Sequence, residues 1–115
     1  MREALAARYA RLGARISPED IFVSDGAKSD LAAILALFSP HNTVLVPSPG
    51  YPVYMDTNLV CGRQVHTLAA TRENGFLPLP GPGTQAGVVY LCSPGNPTGA
   101  AYSADGLAAW VRWAL

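Results

Sequence analysis

The sequence predicts an α/β fold with a mainly parallel sheet and helices on both faces. Short, continuous apolar runs such as TVLV (43–46) and VVYLC (88–92) are typical of strands buried on both sides. Longer segments between them carry apolar residues every three or four positions, which indicates amphipathic helices. Helices in these places supply the long crossovers that parallel strands require.

Four segments are predicted to form strands, and turn-forming residues bound them. They are residues 21–23, 43–46, 63–68 and 88–92. The stretch 71–87 is rich in proline and glycine, and it is predicted to form a surface loop. A sheet of about four strands follows from this pattern.

Three helices are predicted between the strands or before them. The first spans residues 2–12 and ends at Gly13, and the second runs from the sequence SDGAKSD to residue 38. The third begins near Tyr51 and ends at Gly62. Pro52 lies in its first turn, where the missing N–H costs nothing.

A fourth helix begins near Ser103, and its apolar stripe is still running at Leu115. The stripe consists of Leu107, Trp110, Val111 and Ala114. We therefore expect residues 1–115 to be a piece of a larger domain, truncated at the C-terminus. Incomplete cover over its sheet should then expose apolar patches.

The charge composition argues against several classes of partner. Eight basic and eight acidic residues balance, and only 14% of the chain is charged. A nucleic-acid-binding or anionic-membrane-binding protein would need a basic patch. No apolar run approaches the roughly 18 residues of a membrane span, and the N-terminus does not look like a signal peptide. A cytoplasmic protein is expected.

The cysteines and histidines do not suggest a metal site. Cys61 and Cys92 fit no metal-ligand spacing, and their apolar surroundings predict reduced cysteines in the core. His41 is predicted to lie in a loop and His66 at a strand edge.

The first candidate site follows the first predicted strand, at the start of the second helix. Backbone N–H groups at a helix start are unpaired and favour anions, and the small residues Gly26 and Ala27 would let a phosphate approach them. Lys28 could add a positive charge or reach a substrate carboxylate. Alternatively, Ser24 or Asp25 only caps the helix and Lys28 is solvated.

Two further candidates follow the next strands. Tyr51 could lie flat over a planar ligand, or it could simply pack on its own helix. Asn96, in the turn SPGNPTG, could bond a ring oxygen with a neutral amide, or it could serve only a tight turn. Parallel strand ends share one edge of a sheet, so the three sites together suit a phosphorylated aromatic ring such as pyridoxal phosphate.

These motifs resemble the fold-type I pyridoxal-phosphate aminotransferases. The turn SPGNPTG is similar to that family's S-x-x-N-P-T-G pattern. The segments IFVSDGAKSDLAAILALF, NTVLVPSPGYPVYMDTN and NGFLPLP are most similar to the LL-diaminopimelate aminotransferase group. The resemblance covers nearly all of the chain, and it implies part of the large domain that binds the cofactor.

The resemblance implies roles for four residues. Ala27 and Lys28 would lie at the phosphate of pyridoxal 5'-phosphate, Tyr51 would stack on its ring and Asn96 would bond the ring hydroxyl oxygen. Lys28, Tyr51 and Asn96 would also meet substrate. The lysine that carries the cofactor in this family lies further downstream, so no catalytic residue is assigned here. We expect the 115 residues alone to be inactive.

The implied reaction moves an amino group between glutamate and 2-oxoglutarate on one side and LL-diaminopimelate and tetrahydrodipicolinate on the other, in lysine biosynthesis. The complete protein is expected to be a homodimer. Two alternatives remain: an aminotransferase of the same fold with another substrate, or a truncated non-catalytic remnant.

Overall fold

A computed structural model describes all 115 residues of the chain. The chain divides into two compact units, Met1–Asp30 and Leu31–Leu115. Its helices are α1 (Arg2–Arg11), α2 (Ala27–Ala33), α3 (Pro52–Val60) and α4 (Ala104–Ala114). Its strands are β1 (Val44–Ser48), β2 (Val65–Ala69) and β3 (Val88–Val89), and short 3₁₀ turns span Pro18–Asp20 and Ile34–Leu37. No helix has the length and apolar character needed to cross a membrane.

The first unit contains α1 and the 3₁₀ turn, but not the strand predicted at residues 21–23. Gly13 ends α1 as expected, with φ of 86° and its N–H donating to the carbonyl of Ala10. Residues 21–23 form no strand, and Phe22 and Val23 are exposed. The prediction was wrong because apolar character alone does not make a strand, and no neighbouring strand pairs with this segment.

The predicted second helix is shorter than expected. α2 ends at Ala33, and the chain tightens into a 3₁₀ turn before Phe38. The apolar stripe predicted for this helix consists of Leu31, Ile34, Leu35 and Phe38, and only Leu35 is buried. The carbonyls at this end, which have no α-helical partner, are bonded by a side chain: Leu35, Phe38 and Ser39 all present their oxygens to Arg63.

The second unit contains a parallel sheet of three strands, in the order β2-β1-β3. β1 is central, and Val44, Leu45 and Val46 are buried as the sequence predicted. The mainly parallel fold is confirmed, with three strands in place of about four. Its register pairs Val44 with Val65 on one side and with Val88 on the other.

β3 is shorter than the predicted strand 88–92. The N–H of Tyr90 still donates to the carbonyl of Leu45 at 3.0 Å. The next bond of a parallel ladder would need an N–H at residue 47, and Pro47 has none. Pairing therefore stops after Tyr90, and the chain is free to leave the sheet.

The remaining helices begin and end close to the predicted places. Tyr51 precedes α3, and Gly62 follows it with φ of 74°. Ser103 caps α4, since its Oγ accepts from the N–H of Gly106 at 3.2 Å. Of the predicted apolar stripe of α4, Trp110 is buried, whereas Leu107 and Val111 are exposed.

Aromatic side chains fasten the loop at residues 71–87 to the rest of the second unit. Tyr102 Oη donates to the carbonyl of Pro78 at 2.6 Å, and Trp110 Nε1 donates to the same oxygen at 3.2 Å. Trp113 Nε1 donates to the carbonyl of Thr84 at 3.2 Å. These bonds explain why a segment rich in glycine and proline has a defined path.

The two cysteines are free thiols, but they are not both core residues. Cys61 is exposed because it lies at the end of α3, and Cys92 is half-buried. The expectation of two core cysteines was therefore wrong. His41 lies in a turn and His66 on the edge strand β2, as predicted.

A substitution at Arg63 tests its role in bonding the carbonyls that follow α2. The residue is 7% exposed, and its Nη2 donates to the carbonyls of Leu35 at 2.7 Å and Phe38 at 3.0 Å. Replacing Arg63 by Ala should lower the free energy of unfolding by about 2 kcal/mol or more, because buried acceptors lose their donors. Urea unfolding measures this, with the exposed Arg72→Ala as control. Equal stability of the two variants would contradict the assigned role.

Candidate functional site

A pocket opens where β1 and β3 end, as expected for a parallel sheet. Its lining comes from the end of β1, the start of α3 and the loop between them, from the loop after β2, and from the segment after β3. The residues are Pro47, Pro49, Gly50, Tyr51, Tyr54, Phe76, Cys92, Gly95, Asn96, Thr98 and Tyr102. The recess measures about 20 Å³, which is the room of about one water molecule. A planar ligand would therefore lie across its mouth.

Tyr51 occupies the position where the chain turns from β1 into α3. It precedes the first residue of the helix, Pro52, and its ring is half-buried in the pocket wall. The nearest aromatic ring is that of Tyr54, at a centroid distance of 5.5 Å and an angle of 84°. This edge-to-face contact fixes Tyr51 and leaves part of its ring accessible.

The ring of Tyr54 stacks in turn on Tyr90. The centroids are 4.7 Å apart and the planes differ by 21°. Three tyrosines, Tyr51, Tyr54 and Tyr90, thus form a continuous aromatic cluster from the pocket towards the sheet. The sequence analysis missed Tyr54 and Tyr90. Their spacing did not reveal the cluster, because one lies on α3 and the other follows β3.

Asn58 holds this cluster from behind. It is fully buried, and its Nδ2 donates to the backbone oxygen of Tyr54 at 2.7 Å and to the hydroxyl of Tyr90 at 3.2 Å. Its Oδ1 has no hydrogen-bond partner. An unpaired buried oxygen costs free energy, so the amide stabilises the cluster only through the two hydrogen bonds of its nitrogen. It connects α3 directly to Tyr90, the residue that follows β3.

Asn96 lies on the opposite wall, in the turn that follows β3. The turn is closed by other groups: Gly95 N–H donates to Ala100 O and Gly99 N–H donates to Gly95 O, both at 2.7 Å. The exposed Asn96 amide is outside this network. Asn96 does not have positive φ, so a left-handed backbone does not account for asparagine here. Its side chain can donate to a ligand and accept from one.

The structure therefore brings Tyr51 and Asn96 together in one pocket of the second unit. Ala27 and Lys28 are the first two residues of α2, in the first unit, and both are exposed. Ser24 does not cap the helix there, because its hydrogen bonds go to Gly26. The N–H groups of Ala27 and Lys28 lie in the first turn of α2 and have no helical acceptor.

Burial and the neighbouring Cys92 side chain, with smaller contributions from Tyr51 and Tyr90, raise the pKa of Tyr54 to about 12. The phenol is therefore neutral at physiological pH. It can take part in a hydrogen bond, but it does not act as a charged group. Burial also raises the pKa of Tyr102, whose hydroxyl donates to Pro78.

The model of the family described as aminotransferase class I and II matches residues 1–114. LL-diaminopimelate aminotransferase from Desulfosudis oleivorans is 44% identical over the whole chain, and the chain covers 31% of that protein. The enzyme of the same name from Azobacteroides pseudotrichonymphae is 46% identical over 90% of the chain, which corresponds to 25% of its length. The chain thus spans less than a third of these relatives.

Solved structures agree with these matches. L,L-diaminopimelate aminotransferase from Chlamydomonas reinhardtii superposes with a TM-score of 0.88 at 33% identity, over 98% of this chain and 30% of that one. Aspartate aminotransferase from Thermus thermophilus with maleate gives a TM-score of 0.82 at 31% identity, over 98% and 31% of the two chains.

The raised pKa of Tyr54 gives a prediction for alkaline pH. The folded state favours the neutral phenol, so this contribution to stability is complete below about pH 10, the pKa of an exposed tyrosine, and is lost as pH rises through about 12. Tyrosinate absorbance after a rapid pH jump should show a step near pH 12 that Tyr54→Phe removes. Tyr9→Phe, on exposed α1, should retain the step. A step that persists in Tyr54→Phe would contradict the assignment.

Proposed function

Because the chain belongs to the class I and II aminotransferase family, we propose that it forms part of the large domain of an enzyme that uses pyridoxal 5'-phosphate. The complete protein would transfer an amino group between an amino acid and a 2-oxo acid. The family match over residues 1–114 supports this reaction class, as does the pocket at the strand ends.

The proposed substrate pair is LL-diaminopimelate with tetrahydrodipicolinate, and the proposed donor pair is glutamate with 2-oxoglutarate. One observation carries this choice: 44% identity over the whole chain to an LL-diaminopimelate aminotransferase. Other LL-diaminopimelate aminotransferases are 40% to 46% identical. Among solved structures the identities to the L,L-diaminopimelate and aspartate enzymes are close, at 33% and 31%. Backbone similarity does not separate substrates, since the apo-BacF structure from Bacillus subtilis gives a TM-score of 0.90.

The pocket residues fit the ring of the proposed cofactor. Tyr51 offers a partly accessible aromatic face, and Asn96 offers an amide that the turn does not use. A pyridine ring lying across the mouth would meet both. Tyr51 would stack on the ring, and the amide of Asn96 would bond the ring hydroxyl oxygen. Both residues would also border the substrate.

The phosphate is proposed to meet Ala27 and Lys28. The free N–H groups at the start of α2 would donate to phosphate oxygens, and the Lys28 ammonium would balance their charge. Lys28 would also meet a substrate carboxylate. It is the only lysine among these residues, but it is assigned to binding and not to covalent attachment of the cofactor.

When bound, the cofactor withdraws electrons from the carbon that carries the amino group. The residues of this chain bind the ring, orient it and fix its position relative to the sheet. The lysine and the arginine that the family uses for attachment and substrate binding are expected in other parts of the complete protein. We therefore propose that the 115 residues alone are inactive.

The proposed setting is a cytoplasmic homodimer that acts on small amino acids and 2-oxo acids. Balanced charge, with eight basic and eight acidic residues, speaks against nucleic acid or an anionic membrane as a partner.

The substrate proposal is tested by kinetics of the complete protein. With 2-oxoglutarate as acceptor, LL-diaminopimelate should give a kcat/KM at least about 100-fold above that of aspartate. A site built for a longer substrate with a second ammonium group leaves polar groups unpaired when a shorter one binds. A preference for aspartate would contradict the proposed substrate but would leave the proposed reaction class standing. Absence of transamination with any amino acid would overturn both.

The role of Asn96 gives a second prediction. Asn96→Ala in the complete protein should weaken binding of pyridoxal 5'-phosphate about five- to tenfold and slow transamination, because a single hydrogen bond of about 1 kcal/mol is lost. Equilibrium titration of the cofactor-free protein measures the affinity. Gln85→Ala, which removes an exposed amide from the surface loop, is the matched control. Unchanged affinity in Asn96→Ala would exclude the proposed contact.

A further inference from the structure

Phe76 has an unusual backbone conformation for its residue type. Its φ is 62°, and it is the one residue other than glycine with positive φ. A β-carbon in this left-handed region crowds the following carbonyl, so a bulky residue is disfavoured and glycine is preferred. The chain thus places a phenylalanine where a glycine would fold at a lower cost.

The surrounding turn imposes this conformation. The N–H of Phe76 donates to the carbonyl of Thr71 at 2.7 Å, and the N–H of Leu77 donates to that of Asn74 at 3.1 Å. The side chain of Asn74 anchors the turn, since its Nδ2 donates to the carbonyl of Ala69, the last residue of β2, at 2.8 Å. Hydrogen bonds on both sides of Phe76 therefore hold it in place.

Burial of the Phe76 ring in the core does not offset this strain. It is 38% exposed, and it lines the pocket that also contains Tyr51 and Asn96. Backbone strain that persists at a pocket is a recurrent property of functional positions. An aromatic ring at this place adds an apolar wall to a pocket that has an aromatic face on Tyr51 and an amide on Asn96.

We propose that Phe76 is a ligand-contacting residue, held in a strained turn so that its ring forms a wall against the bound pyridoxal ring. This inference rests on the proposed function. The wall limits the recess to about the size of a water molecule, so the ring lies across the mouth and within reach of Tyr51 and Asn96. The contact between Phe76 and the pyridoxal ring is apolar, so a side chain with a flat ring should give the tightest binding.

The test uses the complete protein freed of cofactor and titrated with pyridoxal 5'-phosphate. Phe76→Ala and Phe76→Gly should each weaken binding about five- to tenfold, the loss expected for one aromatic contact. Phe76→Tyr keeps the ring and should bind like the unaltered protein. Thermal unfolding provides a second readout: Phe76→Gly should melt no lower than Phe76→Ala, because glycine relieves the left-handed backbone.

Leu79→Ala is the matched control, since Leu79 is an exposed apolar residue of the same loop and does not line the pocket. It should bind the cofactor normally. If the unaltered protein binds pyridoxal 5'-phosphate and both truncated Phe76 variants bind it with the same affinity as the unaltered protein, the role of Phe76 is refuted while the proposed function stands. If the unaltered protein does not bind pyridoxal 5'-phosphate, the proposed function and the role of Phe76 both fall.

Discussion

The absence of an N–H on Pro47 decides where the pairing of β1 with β3 stops and where the pocket begins. β1 pairs with β3 through Leu45, whose carbonyl accepts from Tyr90, and the next bond of the ladder has no donor. The chain after Tyr90 is consequently released into the turn that carries Asn96. On the other strand, Pro47 leads to the loop that carries Tyr51 into α3.

The pocket walls are held in position by contacts that lie behind them. The stacked rings of Tyr54 and Tyr90 join α3 to the end of β3, and Asn58 bonds both residues from the core. Tyr51 is then placed by its edge contact with Tyr54. On the far side, short hydrogen bonds within the turn hold the backbone around Asn96. Two side chains from distant parts of the sequence thereby face one recess.

Much of this arrangement follows from local sequence. The buried strand at 43–46 and the starts of α3 near Tyr51 and of α4 near Ser103 each depend on neighbouring residues, and all were predicted. The placement of Tyr51 and Asn96 in one pocket was also predicted, because parallel strands place their carboxyl ends together. The likeness of the SPGNPTG turn to a known family suggested the ligand.

The errors concern features that depend on distant contacts. The segment 21–23 has the composition of a strand but lacks a pairing neighbour. The carbonyls after α2 are bonded by Arg63, nearly thirty residues later. Asn58 and Phe76 gave no signal, since a buried amide and a strained phenylalanine are recognised only from their surroundings. The common location of Tyr51 and Asn96 could be predicted because strand ends determine it, whereas the residues that packing places around them could not.

The most direct test of the central claim is a crystal structure of the complete protein with pyridoxal 5'-phosphate bound. Our account predicts density for the pyridine ring stacked on Tyr51, with the amide of Asn96 at hydrogen-bond distance, roughly 3 Å, from the ring hydroxyl oxygen. A cofactor bound elsewhere in the protein, with Tyr51 and Asn96 remote from its ring, would contradict the account.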